Sequence, residues 1–139
     1  MTIQEIQDEI VDEFSMFEDW MQRYEYIIDL GKSLPLIDEQ FKTEDNIIKG
    51  CQSKVWVHAE QKGEEVVFTA DSDAILTKGI IAILIRAFSN QKAADILEAN
   101  TDFIDKIGLK EHLSPTRANG LVSMVKKIKM YALAFNAKN

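Results

Sequence analysis

The chain has 139 residues, of which 46% are hydrophobic and 28% charged, the composition of a folded globular domain rather than of a disordered chain. Its formal net charge is −7 and its sequence pI is about 4.8, which argues against DNA or RNA as a main partner, because nucleic-acid binding needs a basic surface. The length predicts a single domain over residues 1–139.

The N-terminus has an early run of acidic residues, whereas a signal peptide needs a basic start followed by an apolar stretch. No segment reaches the roughly 18 apolar residues that a membrane span requires. The single cysteine excludes an internal disulfide, and an unpaired thiol survives best in a reducing compartment. The sequence therefore predicts a cytoplasmic protein that does not enter a membrane.

The first third of the chain predicts two helices. Thr2 and Glu5 fit a capping box at the start of a helix that runs through Phe14. A second helix is predicted from about residue 16 to residue 30, and Gly31 stands where a left-handed C-cap is expected.

The middle of the chain changes to the period of strands. Residues 54–60 and 65–70 are rich in β-branched and aromatic side chains, and residues 62–64 between them predict a hairpin turn. Residues 47–48 predict a short third strand. A buried helix is expected to follow, ending near residue 88, with Asp73 or Ser72 as its N-cap.

The last third is predicted to be helical again, with short helices at residues 91–99 and 103–107 and a long final helix that Pro115 opens. Arg117 falls in the first turn of that helix, an unfavourable end for a cation. Such a placement indicates solvent exposure or an arginine held for a partner or a carboxylate. The order of elements predicts an α+β fold, with a small antiparallel sheet of about three strands packed against helices.

Cys51 is the one residue of high intrinsic nucleophilicity. Gly50 before it allows a sharp turn that would present the thiol on a loop, and the flanking Lys49 and Lys54 are expected to lower its pKa. A buried structural cysteine is the competing interpretation, and the residues alone leave the two about equally weighted.

The surrounding sequence restricts what a reactive Cys51 can do. Without a Cys-x-x-Cys motif there is no dithiol cycle within the chain, but a single thiolate can take the outer sulfur of a persulfide on another protein. A cysteine hydrolase would need His58 or His112 as a base, and a solvated role is the stronger expectation for both. One cysteine and two distant histidines do not suit zinc, and no nucleotide-binding glycine motif occurs. No cofactor is therefore expected.

Four blocks of sequence resemble the SufE family of sulfur acceptors. They are Trp20-Met21-Gln22-Arg23-Tyr24 with Leu30-Gly31-Lys32-Ser33-Leu34-Pro35, Gly50-Cys51-Gln52-Ser53-Lys54-Val55-Trp56, Ala70-Asp71-Ser72-Asp73-Ala74 with Lys78-Gly79, and His112-Leu113-Ser114-Pro115-Thr116-Arg117 with Asn119-Gly120-Leu121. They occur in the order of the family from about Trp20 to the final helix. Thr116 stands where serine is usual.

The resemblance implies a fold similar to that of iron–sulfur scaffold proteins. It implies that Cys51 accepts persulfide sulfur from a pyridoxal-phosphate cysteine desulfurase of the SufS type and passes it to a SufB-containing assembly complex. By the same resemblance, Gly50, Gln52 and Ser53 shape the cysteine loop, while Asp73 and Arg117 support the loop or partner docking.

Two other hypotheses stay open, a regulator that binds a desulfurase without carrying sulfur and a cysteine hydrolase. A desulfurase of the related Csd type, and either a monomer or a homodimer, also remain open.

Overall fold

A computed structural model describes residues 1–138 of the chain, as seven α-helices, one 3₁₀ helix and three strands. In chain order they are α1 (Ile3–Ser15), α2 (Trp20–Gly31), the 3₁₀ helix (Glu39–Phe41), β1 (Val55–Lys62), β2 (Glu65–Ser72), α3 (Ile75–Phe88), β3 (Gln91–Lys92), α4 (Ala93–Glu98), α5 (Asp102–Lys106), α6 (Leu109–His112) and α7 (Pro115–Lys138).

The sheet is antiparallel in the order β1-β2-β3 and is covered by helices, which confirms the predicted α+β class. β1 and β2 form the predicted hairpin, with a register that runs from Val55 opposite Ser72 to Lys62 opposite Glu65. Gly63 in the turn has a φ of +64°, a conformation that glycine adopts without steric cost.

The prediction of the third strand was wrong. Residues 47–48 contribute only an isolated bridge between Ile47 and Trp56, and β3 comes from Gln91–Lys92, where a helix was expected to begin. Asn90, with a φ of +63°, turns the chain after α3 and donates a 2.8 Å hydrogen bond to the Val66 carbonyl. That turn brings the next two residues alongside the free edge of β2.

Helix α3 is buried nearly all round, as its sequence predicts, and lies between the sheet and α2. Where α2 and α3 cross, a Cβ built on Gly79 would lie 2.1 Å from the Ile27 carbonyl oxygen, and one built on Gly31 would lie 3.0 Å from the Gly79 nitrogen. The prediction of a left-handed cap at Gly31 was wrong: α2 ends at Gly31, and Lys32 is the C-cap in right-handed conformation. The glycine serves the close approach of two backbones instead.

The N-terminal helices follow their capping signals. The capping box of Thr2 and Glu5 is present. Helix α2 starts at Trp20 rather than near residue 16, because the Asp19 carboxylate accepts a 2.9 Å hydrogen bond from the Gln22 amide and so caps the helix there.

Helix α7 brings its first half to the cysteine loop and its second half to β1. Its inner face buries Leu121, Met124 and Ile128, and the Tyr131 hydroxyl donates a 2.9 Å hydrogen bond to the Val57 carbonyl. In the described part of the chain, no helix combines the length and the apolar character needed to cross a membrane.

Candidate functional site

The cysteine loop, residues 49–54, leaves the core at one point and returns close to it. At its base, the Ile48 amide donates a 2.8 Å hydrogen bond to the Val55 carbonyl, so both ends of the loop are tied together. Ile48 and Val55 are buried, whereas Gly50 and Gln52 are exposed. A short segment that can move is thus mounted on a fixed base.

The end of β2 holds the returning end of the loop through the Lys54 backbone. The Asp73 carboxylate accepts a 3.0 Å hydrogen bond from the Lys54 amide. The Lys54 carbonyl accepts 2.9 Å and 3.2 Å hydrogen bonds from the Ser72 hydroxyl and the Asp73 amide. These three bonds satisfy both polar backbone groups of one residue at the rim of the loop.

The predicted capping role of Ser72 or Asp73 was wrong, because the N-cap of α3 is Ala74, which offers no side-chain hydrogen bond. Ser72 instead accepts a 3.2 Å hydrogen bond from the Ala74 amide. The two polar side chains that the sequence assigned to the helix therefore serve the loop.

Cys51 lies half-buried against the first half of α7. Gly50 has a φ of +89°, the left-handed turn that its sequence position predicts. The turn directs the Cys51 Sγ to the Gly120 carbonyl oxygen, 3.7 Å away. A Cβ built on Gly120 would lie 3.1 Å from Sγ, so the thiol occupies space that a side chain would take.

The thiol borders a cavity of only about 10 Å³, close to the volume that one water molecule needs. The residues that line it are Cys51, Gln52, Ser53, Thr77, Ile80, Thr116, Arg117, Gly120 and Met124. Gln52, Ser53 and Arg117 were among the residues selected from the sequence. Thr77, Ile80 and Met124 were not, because helical spacing marks a buried face without showing which loop covers it.

Arg117 lies at the rim of this cavity in the first turn of α7, and its side chain is exposed. No carboxylate of residues 1–138 lies within ion-pair distance of its guanidinium. The other sequence-selected residue, Asp73, contacts Lys54 rather than the cavity. The fold therefore places all six selected residues in or beside one loop, with Arg117 available for an external carboxylate.

Burial raises the pKa of the Cys51 thiol above its ordinary value. The prediction that Lys49 and Lys54 lower this pKa was wrong, since burial is the sole cause of the shift. The Lys49 ammonium instead pairs with the Glu44 carboxylate at 3.1 Å. The resting thiol is consequently protonated near neutral pH and becomes a better nucleophile when it leaves its shield.

Neither histidine lines the cysteine cavity. The His58 ring stacks on Phe41 with a centroid separation of 3.8 Å, and its Nε2 lies 3.2 Å from a Glu60 carboxylate oxygen. The His112 ring stacks on Trp20 at 4.4 Å. Within residues 1–138, no group of three metal-ligating side chains occurs either. The site thus offers one shielded thiol, without the paired base that a cysteine hydrolase requires.

An α+β domain that carries a single shielded thiol on a short loop is a class of protein suited to group transfer between proteins. Residues 8–132 match the SufE family, described as an Fe-S metabolism associated domain. The chain belongs to the SufE family, and a role in iron–sulfur metabolism follows at that level.

Two relatives show how far the similarity extends. An uncharacterised SufE-like protein of Rhizobium meliloti is 42% identical over 130 residues, which cover 90% of this chain and 93% of the relative. SufE-like protein 1, chloroplastic/mitochondrial, of Arabidopsis thaliana is 41% identical over 131 residues, 94% of this chain but 35% of that longer protein. Because that relative belongs to organelles, the cytoplasmic location of this chain stays a prediction.

A solved structure supports the fold independently. The solution structure of a hypothetical protein from Thermus thermophilus has a TM-score of 0.77 and covers 93% of this chain and 94% of its own. The two sequences are 18% identical, so this comparison concerns the fold alone.

Proposed function

We propose that the protein accepts sulfur as a persulfide on Cys51 from a pyridoxal-phosphate cysteine desulfurase of the SufS type and passes it to a SufB-containing iron–sulfur assembly complex. Membership of the SufE family supports this role. The observation that carries it is the position of the only cysteine, half-buried at a loop whose two ends are fixed.

The transfer step is a thiol exchange. The Cys51 thiol gives up its proton, and its thiolate attacks the outer sulfur of the desulfurase persulfide. The sulfur–sulfur bond on the desulfurase breaks as the bond to Sγ forms, and the desulfurase cysteine leaves as a thiolate that takes up a proton. The outer sulfur moves without a net oxidation or reduction, so no further reactant is needed.

The geometry requires the loop to move before transfer. At rest, the cavity beside Sγ holds about 10 Å³, which leaves no path for a partner's sulfur. Because the loop base is fixed by Ile48 and by Lys54, the movement is confined to the residues between them. Shielding suits a carrier, since an exposed thiol or persulfide is open to oxidation and exchange with small thiols.

Arg117 and Asp73 are assigned different parts in this proposal. Arg117, exposed at the cavity rim without an ion-pair partner among residues 1–138, binds an acidic group of the partner. Asp73 fixes the hinge of the loop through the Lys54 amide. Gln52 and Ser53 form the moving surface on either side of the sulfur's path, and Gly50 supplies the turn.

Desulfurase turnover with free cysteine tests the proposal. Wild-type protein is expected to stimulate turnover, because it removes the product persulfide, and Cys51→Ser is expected to give no stimulation. Binding of Cys51→Ser to the desulfurase, followed by calorimetry, is the control for folding and docking. Stimulation by Cys51→Ser equal to that of wild type would contradict sulfur transfer and favour the regulator that acts by binding alone.

A further inference from the structure

The contact between the cysteine loop and α7 contains a glycine that the proposed chemistry does not yet use. Gly120 lies inside a 24-residue helix and is buried, a position where glycine is less favourable than alanine. Its absent side chain is the reason that Sγ fits: a Cβ there would lie 3.1 Å from Sγ, 3.6 Å from the Cys51 Cα and 3.7 Å from the Cys51 Cβ. The helix therefore gives up propensity at the one point where the thiol rests.

The same residue supplies the polar partner of the thiol. The Cys51 Sγ lies 3.7 Å from the Gly120 carbonyl oxygen, a distance that suits a weak S–H donor. A carbonyl oxygen can only accept, so the contact is favourable for the protonated thiol. A thiolate has no proton to donate, and its charge would face the negative end of the carbonyl dipole.

The other surroundings of the sulfur do little to change this preference. From α3, Thr77 and Ile80 line the cavity, and neither titrates near neutral pH. The loop contributes the neutral Gln52 and Ser53. Arg117 on α7 is the charged residue among those that line the cavity, and its exposed side chain is hydrated.

We propose that Gly120 is a positioning residue for Cys51, whose missing side chain makes the space for the thiol and whose carbonyl retains it in its protonated, withdrawn form. Departure of the loop from α7 then frees the thiol to ionise, and ionisation favours departure. The consequence for reactivity rests on the proposed role of Cys51 as sulfur acceptor, but the contact itself does not.

Gly120→Ala tests the proposal, with alkylation of Cys51 by iodoacetamide measured across pH. An added methyl group displaces the sulfur, so the apparent thiol pKa is expected to fall toward that of an exposed cysteine. At pH 7 the rate is expected to rise by about tenfold, the change that a pKa lower by about one unit gives. Asn119→Ala is the matched control, because it adds helix propensity at the adjacent position without adding an atom beside Sγ.

General loosening of the fold is separated from this effect by denaturant unfolding. The midpoint of Gly120→Ala is expected to be no lower than that of wild type, since alanine favours the helix. A faster reaction with an unchanged pH profile and a lower midpoint would mean that the glycine serves packing only. An unchanged rate and pH profile would overturn the proposal.

A second measurement tests the same contact from the side of the cysteine. Cys51→Ser keeps a hydroxyl donor for the Gly120 carbonyl, and Cys51→Ala removes it. Hydrogen exchange of the Gln52 and Ser53 amides is expected to be several-fold faster in Cys51→Ala than in Cys51→Ser, and equal rates would count against the carbonyl contact. Neither experiment contains a desulfurase, so either can fail while sulfur transfer to Cys51 still holds.

Discussion

At the scale of single residues, the shielded thiol makes stability depend on pH. Burial raises the native pKa of Cys51 above its ordinary value of 9.0, so the native state retains the thiol proton after the unfolded state has lost it. The stabilising contribution of the neutral thiol is therefore complete below the unfolded pKa and is lost as pH rises through the native one.

We expect the unfolding free energy of wild type to fall relative to that of Cys51→Ser as the pH is raised above about 8.5, the ordinary range of a cysteine pKa. Urea unfolding of both proteins at a series of pH values from neutral to alkaline measures this difference. The two curves should run parallel near neutral pH, where the thiol is protonated in both states. Parallel curves over the whole range would contradict the shielded position of the thiol.

Asp73 provides a second test at this scale, through its hydrogen bond from the Lys54 amide at 3.0 Å. Asp73→Ala removes the acceptor, and we expect a loss of about 0.5–1.5 kcal/mol in unfolding free energy. Amide exchange at Lys54 should become faster. Asp73→Asn keeps an oxygen acceptor and should lie close to wild type in both measurements, whereas an equal loss in both variants would assign the effect to the charge.

Arg117 is expected to affect docking and leave the fold unchanged. Its side chain is exposed and has no carboxylate partner in the described residues, so Arg117→Gln should change the unfolding free energy by less than about 0.5 kcal/mol. Affinity for the desulfurase should fall by roughly tenfold, with Arg117→Lys intermediate because lysine keeps the charge without the planar fork. Calorimetric titration measures the affinity, and unchanged affinity in both variants would remove Arg117 from the docking surface.

At the scale of helices and strands, the crossing of α2 and α3 is a backbone contact so close that only glycine permits it. Gly79→Ala would place a Cβ 2.1 Å from the Ile27 carbonyl oxygen. Because that oxygen belongs to the backbone, the two helices must move apart, and we expect a loss of about 3 kcal/mol or more, the upper range for overpacked cores. Thermal or urea unfolding measures it.

The matched control is the same substitution in the hairpin turn. Gly63→Ala meets no atom within 4 Å, and its cost of about 1–2 kcal/mol comes from a φ of +64° alone. A smaller loss at Gly79 than at Gly63 would contradict the close crossing of α2 and α3.

Local signals in the sequence predicted most elements, and the errors have identifiable physical causes. The capping box, the hairpin and the buried α3 depend on neighbouring residues and were confirmed. Strand β3 depends on Asn90 turning the chain toward β2, and two polar residues that gain strand geometry from a neighbouring edge carry no periodic signal of their own. The prediction at Gly31 failed because a glycine at a helix end serves equally well as a left-handed cap or as a point of close approach.

The candidate site was predictable in its residues but not in its electrostatics. Gly50, Cys51 and Arg117 were found because they stand in short motifs. Their mutual arrangement depends on α7, which is separated from the loop by 69 positions at the Cys51–Gly120 contact. Sequence neighbours such as Lys49 suggested a lowered thiol pKa, whereas contacts distant in sequence bury the sulfur and raise it.

At the scale of the whole molecule, the fold keeps the cysteine loop at the surface while the core beneath it stays rigid. The buried side chains of the sheet, α3 and α7 form one cluster, and Cys51 packs against its edge. We propose that residues 1–139 act as a single unit in which the loop alone changes position during transfer. A rigid core with one mobile segment lets docking energy go into moving the loop rather than into reshaping the domain.

The central claim is that Cys51 carries sulfur, and intact-protein mass spectrometry after incubation with a cysteine desulfurase and free cysteine tests it most directly. Wild-type protein is expected to gain the mass of one sulfur atom, which a reductant removes, and Cys51→Ser is expected to gain none. Absence of the gain in wild type, with a desulfurase shown to be active and to bind this protein, would contradict the account.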